Sequence, residues 1–125
     1  MKYKTGRVYF LKNCPVSFPV KDKLAICVSG KNLLFILINS VDERRPYQHE
    51  LEHVVYFEAH QINCLSHKSY ANVSKLQLIQ EDQLVLSEER ETLSNAVWLN
   101  IRSKINQDPT IPQKYKTIVE KETKS

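Results

Sequence analysis

The apolar residues of this chain fall into short β-type blocks through most of its length and change to a helical period near its end. "GRVYFLKN" sets Val8 and Phe10 against Arg7, Tyr9 and Leu11, which suits a first strand bounded by Gly6 and Asn13. "CPVSFPV" follows, and Pro15 and Pro19 forbid regular ladder pairing there. The apolar segments Leu24 to Val28 and Leu33 to Ile38 flank "SGKN" and predict a hairpin, with Gly30 and Asn32 as the residues that tolerate positive φ. "VDERRPYQ" reads as a polar turn. "HELEHVVYFEAHQINCLS" fits either period, because Leu51, Val54, Val55 and Ile62 suit a helix and "HVVYF" suits a strand. "SYANVSKLQLIQ" and "QLVLS" return to β character, with Leu76 and Leu78 alternating against Lys75 and Gln77.

From Ser87 the period becomes helical. Leu93, Val97, Ile101 and Ile105 recur at i, i+4 beside Trp98, with Ser87 as the N-cap and Glu88 and Glu89 at the positive end of the helix dipole. This predicts a helix over about 88–106, ended by Asp108 and Pro109. Pro112 then opens a short helix over about 111–121. Strands over about 5–86 and closing helices define a mainly β, α+β chain, and several short strands at this spacing predict a small barrel.

A length of 125 residues fits one domain spanning 1–125. No apolar run approaches the roughly 20 residues that span a bilayer, and "MKYKTGRVYFLKN" lacks the apolar core of a signal peptide. The expectation is a cytoplasmic protein without a membrane partner. Cys14, Cys27 and Cys64 are an odd, isolated set without metal or redox spacing, so buried free thiols are expected. The net charge of +4 is uneven. Seven basic residues against Asp22 leave the first 41 residues at +6 and the remainder at −2, which favours a basic face for a phosphate backbone.

"HELEH", His49 to His53, matches the H-E-x-x-H pattern of zinc hydrolases. Zinc chemistry also needs a helix and a third ligand. Pro46 precedes the motif, "VVYF" follows it, and position 59, where a longer protease pattern has its third histidine, is Ala. In an extended strand His49, Leu51 and His53 share one face and Glu50 points to the other, which dismantles the catalytic arrangement.

Several stretches resemble the PemK/MazF-like toxin family. "TGRVYF" is similar to that family's opening glycine and first strand, "KDKLAICVS" to its second strand, and "LLFILINS" to a third strand ending in a small hydroxyl residue. "SHKSYANVSKLQLI", "LSEERETLSNAVWLNI" and "IPQKYKTIV" resemble its later strand, closing helix and tail. Lys23-Leu24 stands where the family has Arg-Pro, and the proline-bearing "CPVSFPV" replaces its glycine-rich loop.

The resemblance implies an SH3-like β-barrel closed by a C-terminal helix and a toxin-like endoribonuclease that cuts single-stranded RNA with no metal or cofactor. It places Lys23 at the family's arginine and Ser40 at its hydroxyl residue, so these are the candidate catalytic residues. Lys21, Arg44 and Arg45 flank them as backbone-holding candidates, His60 and His67 are acid or base candidates, and Tyr70, like Tyr47, is a base-stacking candidate. The implied partners are single-stranded RNA, a cognate antitoxin and a second copy of the chain. The competing expectation is a non-catalytic small barrel that binds protein or nucleic acid.

Overall fold

The computed structural model describes residues 2–17, 19–41, 53–84 and 86–122. Among them, strands β1 (Arg7–Cys14), β2 (Lys21–Ser29), β3 (Leu34–Ser40), β4 (Val54–Phe57), β5 (Ser69–Asn72), β6 (Gln77–Leu78) and β7 (Ser87–Thr92) form one antiparallel sheet. Helices α1 (Asn95–Gln107) and α2 (Gln113–Glu120) follow. The chain is therefore α+β. The strand path is β4-β5-β3-β2-β1-β7, with β6 beside β3, and among the described residues no pairing joins β4 to β7. The sheet is open at these two edges. Apart from Val41, the turn expected over "VDERRPYQ" lies outside the described residues, as does most of "HELEH".

Both faces of the central strands are covered, which explains the unbroken apolar runs in β2 and β3. Val8, Ile26, Ile36, Val55 and Ala71 pack in one cluster with Val97, Trp98, Ile101 and Ile105 of α1 and Val119 of α2. The opposite face buries Tyr9, Leu11, Ala25, Cys27 and Phe35 beneath Tyr3, Ile79 and Leu84. Tyr3, Tyr9 and Phe35 meet edge to face with centroids 5.5, 6.2 and 6.3 Å apart. Burial by this trio pushes the Tyr9 hydroxyl up to about 12.

The helix expected from Ser87 begins instead at Asn95, because Ser87–Thr92 is the edge strand β7, running from the Leu11↔Ser87 pair to the Arg7↔Thr92 pair along β1. Glu89 reaches Arg7 at 3.0 Å, and Arg90 lies 4.9 Å from the centroid of Phe10. The effective N-cap is Ser94, whose Oγ accepts from the Val97 N–H at 3.2 Å. Leu93 precedes it in the same apolar cluster as Trp98, in the N′ and N4 positions of a hydrophobic staple. The i, i+4 stripe was thus helical only from Val97 onward. The expected α2 does follow Pro112.

Three further expectations change. Gln83 and Leu84 of "QLVLS" belong to a 3₁₀ turn, Glu81–Leu84, rather than a strand. Leu78 is 48% exposed and Ile79 is buried, because β6 is only two residues long and the Ile79 N–H turns to the Leu33 carbonyl at 3.1 Å. In the β2-β3 turn the positive φ falls on Leu33, at 55°, and not on Gly30 or Asn32. Gly30 has a different reason to be glycine: a Cβ there would meet the Tyr3 carbonyl oxygen at 2.0 Å.

Candidate active site

An antiparallel hairpin brings the start of its first strand beside the end of its second. The Leu24↔Ile38 pair therefore sets Lys21 and Lys23 of β2 next to Asn39 and Ser40 of β3. Register continues from Ser40 to Ser69 of β5, which delivers the preceding loop, and His67 with it, to the same end of the sheet. These segments enclose a cleft of about 530 Å³ lined by Lys21, Lys23, Asn39, Ser40, His67 and Tyr70, together with Asp22, Cys64 and Ser66.

His67 is held from both ring nitrogens. Its Nε2 lies 2.8 Å from the Ser40 Oγ and its Nδ1 lies 2.9 Å from the Ser66 Oγ. A neutral imidazole has one N–H and one lone pair, so one serine accepts from the ring while the other donates to it. The Val41 N–H, just after β3, donates to the Lys68 carbonyl at 3.1 Å and ties this loop to β3, while the Ser69 Oγ of β5 donates to the His67 carbonyl at 3.1 Å. Glu91 of β7 ties its earlier part, accepting from the Asn63 and Cys64 N–H groups at 3.1 and 2.7 Å.

Lys23 is half-buried, and its ammonium donates to the Asn39 Oδ1. Burial, and then the like charge of Lys21, hold its pKa below the ordinary lysine value. Asp22 accepts from the Asn13 N–H at 2.9 Å, which supports the left-handed turn at Asn13, where φ is 51°. The cleft can thus present two ammonium groups to an anion and an imidazole to a proton. Tyr70 sits at its edge, its ring 6.4 Å from Tyr56.

Of the expected site residues, Lys21, Lys23, Ser40, His67 and Tyr70 line this one cleft. His60 does not: it is exposed on a turn, outside the cleft lining. Arg44, Arg45 and Tyr47 lie outside the described residues. Asn39, Ser66 and Glu91 were not anticipated. Asn39 was within reach of the hairpin pattern, which sets it opposite Lys23, whereas Glu91 carried no signal while its segment read as helix. Cys14 and Cys27 are buried free thiols as expected, but Cys64 is exposed. Partial burial of its sulfur and the nearby Glu91 push that thiol up to about 11, so it is not a thiolate near neutral pH.

His53, the described member of "HELEH", is buried just before β4, and its Nδ1 bonds the Asp108 carboxylate between α1 and α2. Among the described residues, no three His, Cys, Asp or Glu side chains gather as a metal cluster, and no helix is long and apolar enough to cross a membrane. The chain matches no protein-family model and no curated protein.

Proposed function

We propose that this protein is a toxin-like, metal-independent endoribonuclease acting on single-stranded RNA, built on an SH3-like barrel and acting in a type II toxin-antitoxin pair in the cytoplasm. One observation carries the reading. Lys23, Ser40 and His67 come from three separate segments and share one cleft, with the Ser40 Oγ 2.8 Å from the His67 Nε2.

In this mechanism the ribose 2′-oxygen attacks the adjacent phosphorus, forming the 2′-O–P bond and breaking the P–O5′ bond. The Ser40 Oγ takes the 2′-hydroxyl proton as it passes its own to the His67 Nε2, with Ser66 fixing the ring through Nδ1. The Lys23 and Lys21 ammoniums neutralise the charge that builds on the phosphorane oxygens. Lys23 gives its proton to the departing 5′ oxygen, a step its lowered pKa makes easier than for an ordinary lysine. The products are a 2′,3′-cyclic phosphate and a 5′-hydroxyl, and water restores both protonation states.

The test is incubation of purified protein with mixed-sequence single-stranded RNA in EDTA, beside Lys23→Ala and His67→Ala. Cleavage by the wild type, reduced about 10²–10³-fold in each variant, is expected. Intact RNA across varied sequences overturns the reading. An antitoxin that fills the cleft and a homodimer belong to the same proposal, tested by relief of growth arrest on co-expression and by light scattering. Lys23-Leu24 in place of the family's Arg-Pro favours a second reading, a barrel that binds RNA without cutting it. RNA bound but intact selects it.

A further inference from the structure

Lys21, Lys23 and Asn39 line a second concavity besides the cleft. This smaller hollow, about 210 Å³, is also lined by Asn72, Lys75 and Gln77, with Val16 and Leu37 as its apolar part. Among the described residues no acidic side chain lines it. The two hollows meet at a rim formed by the start of β2 and the end of β3.

Two of the three amides of this second hollow are already oriented. The Asn39 Oδ1 accepts from the Lys23 ammonium. The Asn72 Oδ1 accepts from the Ser74 N–H at 3.0 Å and from the Ser74 Oγ at 2.6 Å. An ammonium and a backbone N–H can only donate, so both amide oxygens have partners and each carboxamide's other end is an NH₂ donor. Three lysines and two amide donors, with no carboxylate among them, make a hollow for an anion.

Two hollows that share a pair of lysines, the larger also lined by Asp22, suit neighbouring phosphates of one strand better than two separate ions. Cross-strand register adds aromatic surface next to the rim, since Asn39 pairs with Tyr70 and Tyr70 with Tyr56 on the same face of the sheet. Lys68 lies 5.4 Å from the Tyr56 centroid. Alternating cations and aromatic rings are the arrangement that tracks a single strand.

We propose that the hollow around Lys75 is a second phosphate subsite, and that one single-stranded polynucleotide crosses the rim with consecutive phosphates in the two hollows. The inference rests on the ribonuclease reading only for the strand's identity as RNA.

The experiment is fluorescence anisotropy with a labelled, non-cleavable 2′-O-methyl oligoribonucleotide of about 12 nucleotides, within the span of known single-strand sites. Wild type is compared with Lys75→Glu and with Lys114→Glu, an equal charge change on α2 outside both hollows. Lys75→Glu is expected to weaken binding about tenfold or more and to lower the salt slope by about 0.7, with Lys114→Glu near wild type. Equal losses in the two variants, or none in Lys75→Glu, overturn the subsite. Inorganic phosphate or a mononucleotide binding as tightly as the oligonucleotide also overturns it, because a single anion then satisfies the site. Oligonucleotide binding that depends on Lys75 while unmodified RNA stays intact sustains the subsite and removes the ribonuclease. Cleavage that needs Lys23, with unchanged affinity in Lys75→Glu, does the reverse.

Discussion

The Glu91 carboxylate on β7 accepts the backbone N–H of Cys64 at 2.7 Å, and its second oxygen takes the N–H of Asn63. One side chain thereby ties the loop that carries Ser66 and His67 to the far edge of the sheet. Charge-assisted bonds of this kind are stronger than neutral ones, but these are exposed, so their net worth is modest. Glu91→Ala is expected to cost about 1 kcal/mol in urea denaturation. The proposed cleavage should fall about tenfold, because a loosened His67 is out of position. The same change removes a cause of the raised Cys64 pKa, so that thiol moves back toward its ordinary 9.0 and reacts faster with a disulfide reagent at pH 8. An unchanged thiol rate in Glu91→Ala refutes the coupling.

Lys23 gives the proposed reaction a predictable alkaline limit. It must be protonated to stabilise the phosphorane and to release its proton, and its pKa lies below the usual 10.5. Activity should therefore decline as pH rises through that lowered value, earlier than an ordinary lysine would dictate. Lys23→Arg keeps the charge at all accessible pH values and adds a bidentate fork, but it does not release a proton, so slower cleavage at neutral pH is expected. A pH-rate profile of this variant should lack the alkaline decline if Lys23 acts as stated, and an unaltered profile assigns the limit to another group.

How far the sequence anticipates this arrangement depends on what each residue needs. Alternation and turn chemistry were sufficient for the β2-β3 hairpin, and hairpin register then sets Lys23 beside Ser40. Periodicity could not separate β7 from α1, because Ser87 and Ser94 are both plausible caps and "EERET" has no apolar residue to mark a strand. Leu93 fitted the helical stripe while serving as the residue before the cap. The loop bearing His67 was opaque for a different reason: its position depends on Glu91, reached across 28 residues of sequence, and local pattern carries no information about such a bond. The two-sided core was hidden in the same way, since Tyr3 and Leu84 meet over Phe35 only in three dimensions.

Gly30 supplies a stability test. Its N–H donates to the buried Thr5 Oγ1 at 2.9 Å, and that hydroxyl donates to the Glu122 Oε2 at 2.9 Å while the Ser29 Oγ donates to Oε1 at 2.6 Å. The N-terminal segment, the β2-β3 turn and the end of the chain beyond α2 thus meet at one point. A methyl group at Gly30 collides with backbone rather than with a flexible side chain. Gly30→Ala is expected to cost about 2–3 kcal/mol. Glu122→Gln keeps an acceptor there and should cost about 1 kcal/mol. Chemical denaturation of both variants checks the order, and a harmless Gly30→Ala disproves the close approach.

The pairing of His53 with Asp108 predicts an acid-sensitive clamp between the sheet and the helices. Burial alone would raise the Asp108 carboxyl, but hydrogen bonds from Thr110 and His53 outweigh it and hold the pKa below the ordinary 3.8. Thr110 contributes its N–H at 2.9 Å and its Oγ1 at 2.6 Å. A folded-state pKa below the unfolded one means that the stabilisation is complete above pH 3.8 and is lost as pH falls through the lower folded value. Asp108→Asn should cost about 3 kcal/mol at neutral pH, since it leaves His53 buried against an amide and removes a charged acceptor. Its stability should then lack the part of the acid decline that Asp108 supplies. Thermal melts of both proteins from pH 7 down to pH 2 measure this, and parallel curves below pH 4 would show that the clamp does not set the acid limb. The last histidine of "HELEH" then acts by fastening β4 to the link between α1 and α2.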